Sequence, residues 1–316
     1  MKQMVFVYEP LHEEALALLS ESCQVKMAGA LDQASLVKDV AGASGIIVRA
    51  LGRVSAEVMD AAGPNLKVVA RHGVGVDNID LEAARARGLR VLNSPRGNTR
   101  SMAEHFVLLA LGVCRRAKEA GRWLGAGDWS KTGGFTSVEI SGKTLGVLGF
   151  GNIGREVAQM CSAAFGMPIL YASRQAHEEE AAALRAERVT YEQLFARSDV
   201  IAVCQALTPE TRHLVDAGLL NLMKPTAFIV NVSRGAVWKE EDLVRALKEG
   251  RLAGAASDVY ETEPLPADHP LLGLDNFFGT PHLGGLTAEA IRRNSLEAAE
   301  GVLDVLAGRQ PQFIVV

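Results

Sequence analysis

The chain has 316 residues, with 33 lysines and arginines against 37 aspartates and glutamates and a net charge of −4; that balance argues against a nucleic-acid-binding surface, which needs a concentrated basic patch. Apolar residues make up 48% and charged residues 22%, an ordinary globular composition, and the length suits about two domains. No apolar run approaches membrane length, since even 106–114 is bounded by His105 and Arg115, and the N-terminal run over 4–8 meets Glu9, Pro10, Glu13 and Glu14 too soon for a signal peptide. In chain order, residues 1–93 alternate short apolar runs with amphipathic stretches. Strands are predicted over 4–8, 24–27, 45–48, 66–70 and 90–92, and helices over 11–20, 32–40, 55–62 and 81–87. Such βαβ alternation implies a parallel sheet with helices on both faces.

Ser94-Pro95-Arg96-Gly97-Asn98 is a turn-rich break. A long helix is predicted over 100–124, apolar around much of its circumference, which marks a domain or subunit interface. Arg115, Arg116 and Lys118 on it read as a solvated face. After a loop over 125–134, residues 144–150 form a short apolar run that reads as a buried strand. Gly149, Gly151 and Gly154 then spell G-x-G-x-x-G, and 155–165 keeps helical spacing until Gly166. Strand, glycine turn and helix in this order are the context of a dinucleotide site. The first glycine permits the tight turn, the second lets backbone approach a pyrophosphate, and the third lets helix and strand pack closely. The helix N-terminus offers unpaired N–H groups and partial positive charge to the phosphates.

Further strands are predicted over 169–172, 200–204, 227–232, 253–258 and 277–280. The last helix, over 287–307, is long enough to return to the first unit. The expected organisation is therefore a small discontinuous domain, 1–98 with 286–316, holding an inserted domain over 99–285, with crossings near 95–100 and 283–287. Cys23, Cys114, Cys161 and Cys204 match no metal or C-x-x-C spacing. No metal is expected, and a reducing, cytoplasmic compartment fits best.

Enzymes that use NAD place an acid about 20 residues past the glycines to hold the ribose 2′-OH. Here the second strand ends Tyr171-Ala172-Ser173-Arg174, without one. Ser173 and Arg174 instead offer a hydroxyl and a guanidinium suited to a 2′-phosphate, which favours NADP over NAD. Arg234 in VNVSRGA, Asp258 and Glu263 in SDVYETEP, and His282 in TPHLGG each follow a predicted strand. Singly, each is compatible with a surface ion pair, a cap or a turn. In a parallel sheet, all three segments meet at one C-terminal edge, where open α/β sheets bind ligands. The residue types suit hydride chemistry on a carbonyl. A histidine can protonate the developing alkoxide, a carboxylate can stabilise its imidazolium, and an arginine can clamp a substrate carboxylate.

The stretches RHGVGVDNID, NSPRGNT with SMAEH, GKTLGVLGFGNIG, VNVSRGA, GAASDVYETEP and TPHLGG together resemble the D-isomer specific 2-hydroxyacid dehydrogenase family over nearly the whole chain. The resemblance implies two doubly wound parallel-sheet domains of α/β class, a Rossmann dinucleotide-binding domain inserted into a smaller flavodoxin-like substrate domain. It also implies a homodimer built around the long helix. Carried over by resemblance, Arg234 orients the 2-oxo acid, His282 is the acid/base and Glu263 pairs with it, while Val74 and Gly75 offer N–H groups to the substrate carboxylate. Cofactor contacts are expected from Gly149, Gly151, Asn152, Ile153 and Gly154, from Ser173 and Arg174, and from Leu207, Val232, Ser233, Asp258, His282 and Gly284. Within the family the chain looks most like the D-3-phosphoglycerate dehydrogenases, here without a C-terminal regulatory domain. Arg49 in IIVRA and Arg71 in VARHG match arginines that such enzymes place near a substrate phosphate. The Ala-Ser-Arg turn instead looks like that of NADPH-using glyoxylate and hydroxypyruvate reductases, and Cys204-Gln205-Ala206-Leu207 replaces the relatives' usual His-x-Pro-Leu. The expected activity is reversible hydride transfer to hydroxypyruvate, glyoxylate or phosphohydroxypyruvate. A dinucleotide-sensing interaction protein on the same fold, like the corepressors that resemble this family, is the alternative.

Overall fold

The computed structural model describes residues 2–316. The elements run β1 (Gln3–Val7), α1 (Glu13–Ser22), β2 (Cys23–Met27), α2 (Gln33–Asp39), β3 (Ala43–Val48), α3 (Ala56–Ala62), β4 (Val68–Arg71), α4 (Leu81–Ala86), β5 (Arg90–Leu92), α5 (Thr99–Cys114), α6 (Ala117–Gly125), β6 (Leu145–Leu148) and α7 (Asn152–Phe165). They continue β7 (Ile169–Ala172), α8 (Glu178–Leu184), β8 (Glu187–Arg188), α9 (Tyr191–Arg197), β9 (Val200–Val203), α10 (Ala217–Leu220), β10 (Phe228–Asn231), α11 (Glu240–Lys248), β11 (Gly254–Ser257), β12 (Phe277–Gly279) and α12 (Ala288–Leu306). Helix starts are set locally. Asp32, Ser55, Asp80, Thr190 and Thr287 each accept from the third backbone N–H of the helix that follows, contacts worth about 1 kcal/mol apiece.

The chain divides into two compact units, one reaching Thr99 and resuming at Gly285–Val316, the other Arg100–Gly284. The first holds a five-stranded parallel sheet in the order β2-β1-β3-β4-β5. One face buries Phe6, Ile46 and Val69. The other buries Val5, Ile47 and Val68 against Ala298, Ala299 and Val302 of α12, so the last helix closes the core that the first 93 residues begin.

The second unit holds a seven-stranded parallel sheet in the order β12-β11-β10-β9-β6-β7-β8. Strands β6, β9, β10 and β11 are buried at every residue, as strands covered on both faces must be. The order reverses at β6, whose neighbours are β9 and β7. This is a doubly wound Rossmann-type sheet, and sheets of this kind bind ligands at the point where the strand order reverses, here between β6 and β9.

Two expectations need correction. The helix predicted over 100–124 is two helices, broken at Arg116, which takes a left-handed φ of 52°. Arg116 is held there by its Nε to Glu119 Oε2 at 2.8 Å and by its guanidinium 5.0 Å over the Phe135 ring. The Val138 N–H reaches the Cys114 carbonyl at 3.0 Å and closes the end of α5. The basic cluster is exposed at Arg115, as a solvated face would be, but it is also tethered. Arg115 Nε donates to Ser137 Oγ at 3.0 Å, and Lys118 Nζ donates to the carbonyls of Leu272 and Leu274, each at 2.8 Å. The sheet also gains an unpredicted seventh strand, β8, two exposed residues long.

Candidate active site

Six turns follow the C-terminal ends of the parallel strands β6, β7, β9, β10, β11 and β12, and they carry the predicted residues of the second unit. After β6, Gly149 has φ +92°, and a Cβ there would lie 2.7–2.8 Å from backbone atoms of Cys204 and Gln205. Only glycine lets the loops after β6 and β9 start side by side. Gly151 is the N-cap of α7, makes no side-chain cap bond, and has nothing within 4 Å of the place a Cβ would take. Gly154 packs against the Gly149 carbonyl and Val147. The first turn of α7, with Asn152 and Ile153, therefore opens onto space that side chains leave clear. An open helix N-terminus beneath a glycine turn fits a pyrophosphate.

Ser173 and exposed Arg174 follow β7. Arg188 of β8 donates from Nη2 to their carbonyls at 3.0 and 3.2 Å and so fixes this turn. Leu207 lies half-buried against the core on one side of the sheet. Val232 is buried after β10, with Ser233 and Arg234 half-buried beyond it.

Arg234 is placed by Asn231, a fully buried side chain at the end of β10. Asn231 Oδ1 accepts from the Ser233 N–H and hydroxyl, each at 2.9 Å, and its Nδ2 donates to the Arg234 carbonyl at 3.0 Å. Arg234 Nη1 donates to the Ser233 carbonyl at 2.8 Å. The next residue, Gly235, lies flat on the backbone of Tyr260 and Glu261, which ties the Arg234 loop to the loop carrying Glu263.

The structure brings Glu263 and His282 together, with Nδ1 of the imidazole 2.7 Å from Oε2 of the carboxylate. Both are partly open to solvent, at 49% for His282 and 36% for Glu263. The other carboxylate oxygen accepts the Tyr260 N–H at 2.9 Å. Burial pushes the Glu263 carboxyl up, but the bonds from His282 and Tyr260 and the charges of His282 and Arg234 outweigh it and hold it below the usual range. A carboxylate that stays ionised on Nδ1 leaves Nε2 as the nitrogen available for a reacting oxygen.

His282 has φ +57°. Its N–H donates to the Asp258 carbonyl at 2.8 Å, and the Asp258 carboxylate accepts the Leu283 and Gly284 N–H groups, each at 2.8 Å. Asp258 is fully buried and also accepts from the Thr280 hydroxyl at 2.6 Å. Burial raises its pKa, and the His105, Thr280, Gly284 and Leu283 bonds bring it below the usual carboxylate range. Asp258 thus meets the edge through the 282–284 turn that it clamps.

In the first unit, Arg49 follows β3 and Arg71 ends β4. Glu9 Oε2 accepts the Arg49 and Leu51 N–H groups, each at 3.1 Å, while Arg49 Nη1 reaches the Pro10 carbonyl at 3.3 Å. Arg71 Nη1 donates to the His72 carbonyl at 2.6 Å. Val74 and Gly75 occupy the loop after β4, where Asn93 Nδ2 holds the Val74 carbonyl at 2.9 Å. Buried His72 places Nε2 3.2 Å from the Ile291 carbonyl and 3.1 Å from Ser295 Oγ. Its pKa falls to about 4, first by burial and then by the Arg49 and Arg71 charges.

Sequence reasoning passed over Asn231, Arg188, Thr280 and His105, the last with Nε2 2.8 Å from Thr280 Oγ1 and 3.1 Å from Asp258 Oδ1. Asn231 and Thr280 lie within the quoted VNVSRGA and TPHLGG and could have been found as polar residues at strand ends. His105 closes the quoted SMAEH stretch, but nothing local tells what it bonds to, and Arg188 carries no local signal. Among the described residues, no group of three or more His, Cys, Asp or Glu is placed to hold a metal, and no helix is long and apolar enough to cross a membrane.

Residues 107–284 match the family model described as D-isomer specific 2-hydroxyacid dehydrogenase, NAD binding domain. The chain is 40% identical to a D-3-phosphoglycerate dehydrogenase of Methanocaldococcus jannaschii over 98% of its own length and 59% of that protein's. It spans less than two thirds of the D-3-phosphoglycerate dehydrogenases that it matches. It is 37% identical to a glyoxylate reductase of Thermofilum pendens, covering 98% of this chain and 94% of that one. Among solved structures, an NADPH-dependent glyoxylate/hydroxypyruvate reductase from Sinorhizobium meliloti in complex with NADP and malonate superposes with a TM-score of 0.88 at 29% identity, covering 100% of this chain and 97% of that one.

Proposed function

The chain belongs to the D-isomer specific 2-hydroxyacid dehydrogenase family, and we propose that it interconverts a small 2-oxo acid and the corresponding D-2-hydroxy acid with a nicotinamide dinucleotide. The observation that carries this reading is the Glu263–His282 pair, 2.7 Å apart, on the sheet edge that also bears Arg234 and the glycine turn. When bound at that turn, the reduced nicotinamide supplies a hydride. Arg234 holds the substrate carboxylate and draws electron density from the adjacent carbonyl. His282 gives its Nε2 proton to the carbonyl oxygen as that oxygen becomes an alkoxide, and Glu263 keeps Nδ1 protonated and stabilises the imidazolium that the donor must be. In the oxidative direction, neutral His282 takes the hydroxyl proton back.

The absence of an acid after β7, with Ser173 and Arg174 in its place, supports NADPH over NADH. Hydroxypyruvate and glyoxylate are the first substrates to try, and Arg49 and Arg71 extend the choice to phosphohydroxypyruvate. On this reading Arg49, Arg71, Val74 and Gly75 are substrate-side residues of the first unit. Exposed Leu108, Leu124 and Trp129 on and after α5 and α6 support a homodimer, and four free cysteines agree with a reducing cytoplasm. The test is the configuration of the product. Hydroxypyruvate reduced by the purified protein with NADPH should yield D-glycerate on chiral chromatography. The L isomer, or no product from any of the three acids with either cofactor, would refute the reading.

A further inference from the structure

We propose that His105 is a positioning residue for the reaction, acting on His282 through Thr280 and Asp258; the proposal rests on His282 being the proton donor. His105 lies on α5, far in sequence from the other members, and its imidazole is 11% exposed beside a fully buried Asp258. The Thr280 hydroxyl spends its proton on Asp258 Oδ1 at 2.6 Å. Toward His105 Nε2, 2.8 Å away, the same oxygen must therefore accept, so Nε2 carries hydrogen and directs it at both Thr280 Oγ1 and Asp258 Oδ1. This settles the tautomer and makes His105 the side-chain donor that anchors the buried carboxylate from outside the 280–284 turn.

What Asp258 does with that anchorage points at His282. Its carbonyl and two carboxylate oxygens take the N–H groups of three consecutive residues, His282, Leu283 and Gly284, each at 2.8 Å. Those three bonds hold His282 at φ +57°, a region that a residue with a Cβ occupies only when its surroundings impose it. The turn is also pressed onto the same helical face that bears His105. A Cβ on Gly284 would lie 2.8 Å from Met102 Sδ and 2.9 Å from its Cε, three residues before His105. One face of α5 therefore packs the turn through Met102 and orients its clamp through His105. Without the imidazole donor, Asp258 keeps a buried charge with one partner fewer, and the amides it holds are the first to respond.

The experiment compares His105→Leu, His105→Gln, Thr280→Val and Thr280→Ser with the parent. It reads kcat and KM for the oxo acid, and hydrogen exchange at the Leu283 and Gly284 amides. For His105→Leu and Thr280→Val, kcat is expected to fall about tenfold or more, with KM within about twofold, because the loss is of alignment in the reacting complex. His105→Gln places an N–H near the Nε2 position and Thr280→Ser keeps the hydroxyl, so both should stay within about threefold of the parent. Combining His105→Leu with Thr280→Val should be no worse than the worse single change, as members of one chain of hydrogen bonds are not additive. In His105→Leu the two amides should exchange about tenfold faster while those of β10 do not change. Parental kcat and exchange in a folded His105→Leu protein, or equal losses in His105→Leu and His105→Gln, would overturn the proposal. If His105→Leu does not fold, the Thr280→Val and Thr280→Ser pair decides by the same criteria. A parent inactive on every oxo acid would defeat the proposed function instead, and amide exchange would then decide the clamp alone.

Discussion

Gly235→Ala should damage activity more than any other single added methyl group near the site. A Cβ on Gly235 overlaps the carbonyl carbon and oxygen of Tyr260 and the nitrogen of Glu261, all backbone atoms that no rotamer change can remove. Clearing them to ordinary contact requires the two loops to part by about 1 Å or more. One loop carries Arg234 and the other Glu263, the partner of His282. Overpacking of this kind costs about 1–3 kcal/mol of stability. A misplacement of about 1 Å between groups that must act together can lower turnover by roughly 100-fold. The assay is kcat/KM for reduction together with a denaturation midpoint, and Gly121→Ala is the control. Gly121 lies in α6 with nothing within 4 Å of its Cβ position, so that change should be neutral in activity and stabilising by about 0.5–1 kcal/mol. A Gly235→Ala protein with parental kcat/KM and midpoint would show that the two loops do not depend on their close approach.

Other consequences concern charge. His72 stays neutral in the folded chain down to about 4, whereas the unfolded chain takes up its proton near 6.5. Stability should therefore be intact above about 6.5 and decline as pH falls from there to about 4, by up to about 3 kcal/mol from this group. Chemical denaturation of His72→Gln should show a shallower decline across that window, and a slope equal to the parent's would contradict the assignment. Glu263→Gln replaces the carboxylate on His282 Nδ1 by a neutral amide, so kcat for reduction should fall about tenfold or more; an unchanged kcat would remove Glu263 from proton transfer. Arg174→Ala should raise the Kd of NADPH by about tenfold or more and leave that of NADH nearly unchanged, and equal losses would mean that Arg174 does not read the 2′-phosphate.

The strands were legible because β3, β6, β9, β10 and β11 are buried on both faces and so appear as nearly continuous apolar runs, broken only by Ser44, Asn231 and Ser257. The glycine turn was legible because φ +92° at Gly149 admits little else. The segments carrying Arg234, Glu263 and His282 could be placed together because residues following neighbouring parallel strands meet at one edge, whereas the pairing of Glu263 with His282 came only from the family resemblance. Strand β8 was not legible, since two exposed charged residues carry no period. The break between α5 and α6 was hidden because the left-handed residue is an arginine, held by Glu119 and Phe135 rather than by a glycine's freedom. His105 was concealed for a related reason. On a helix, its spacing marks it as one more inward-facing position, and the partners that give it a role lie more than 150 residues away.

The most direct measurement is consumption of NADPH by the parent and by His282→Asn, each with glyoxylate, hydroxypyruvate and 3-phosphohydroxypyruvate. The parent should oxidise the cofactor with at least one of these acids, and His282→Asn should do so about 100-fold or more slowly while remaining folded. A parent inert toward all three, or a His282→Asn protein that turns over at the parental rate, would contradict the assignment of this edge to hydride transfer assisted by His282.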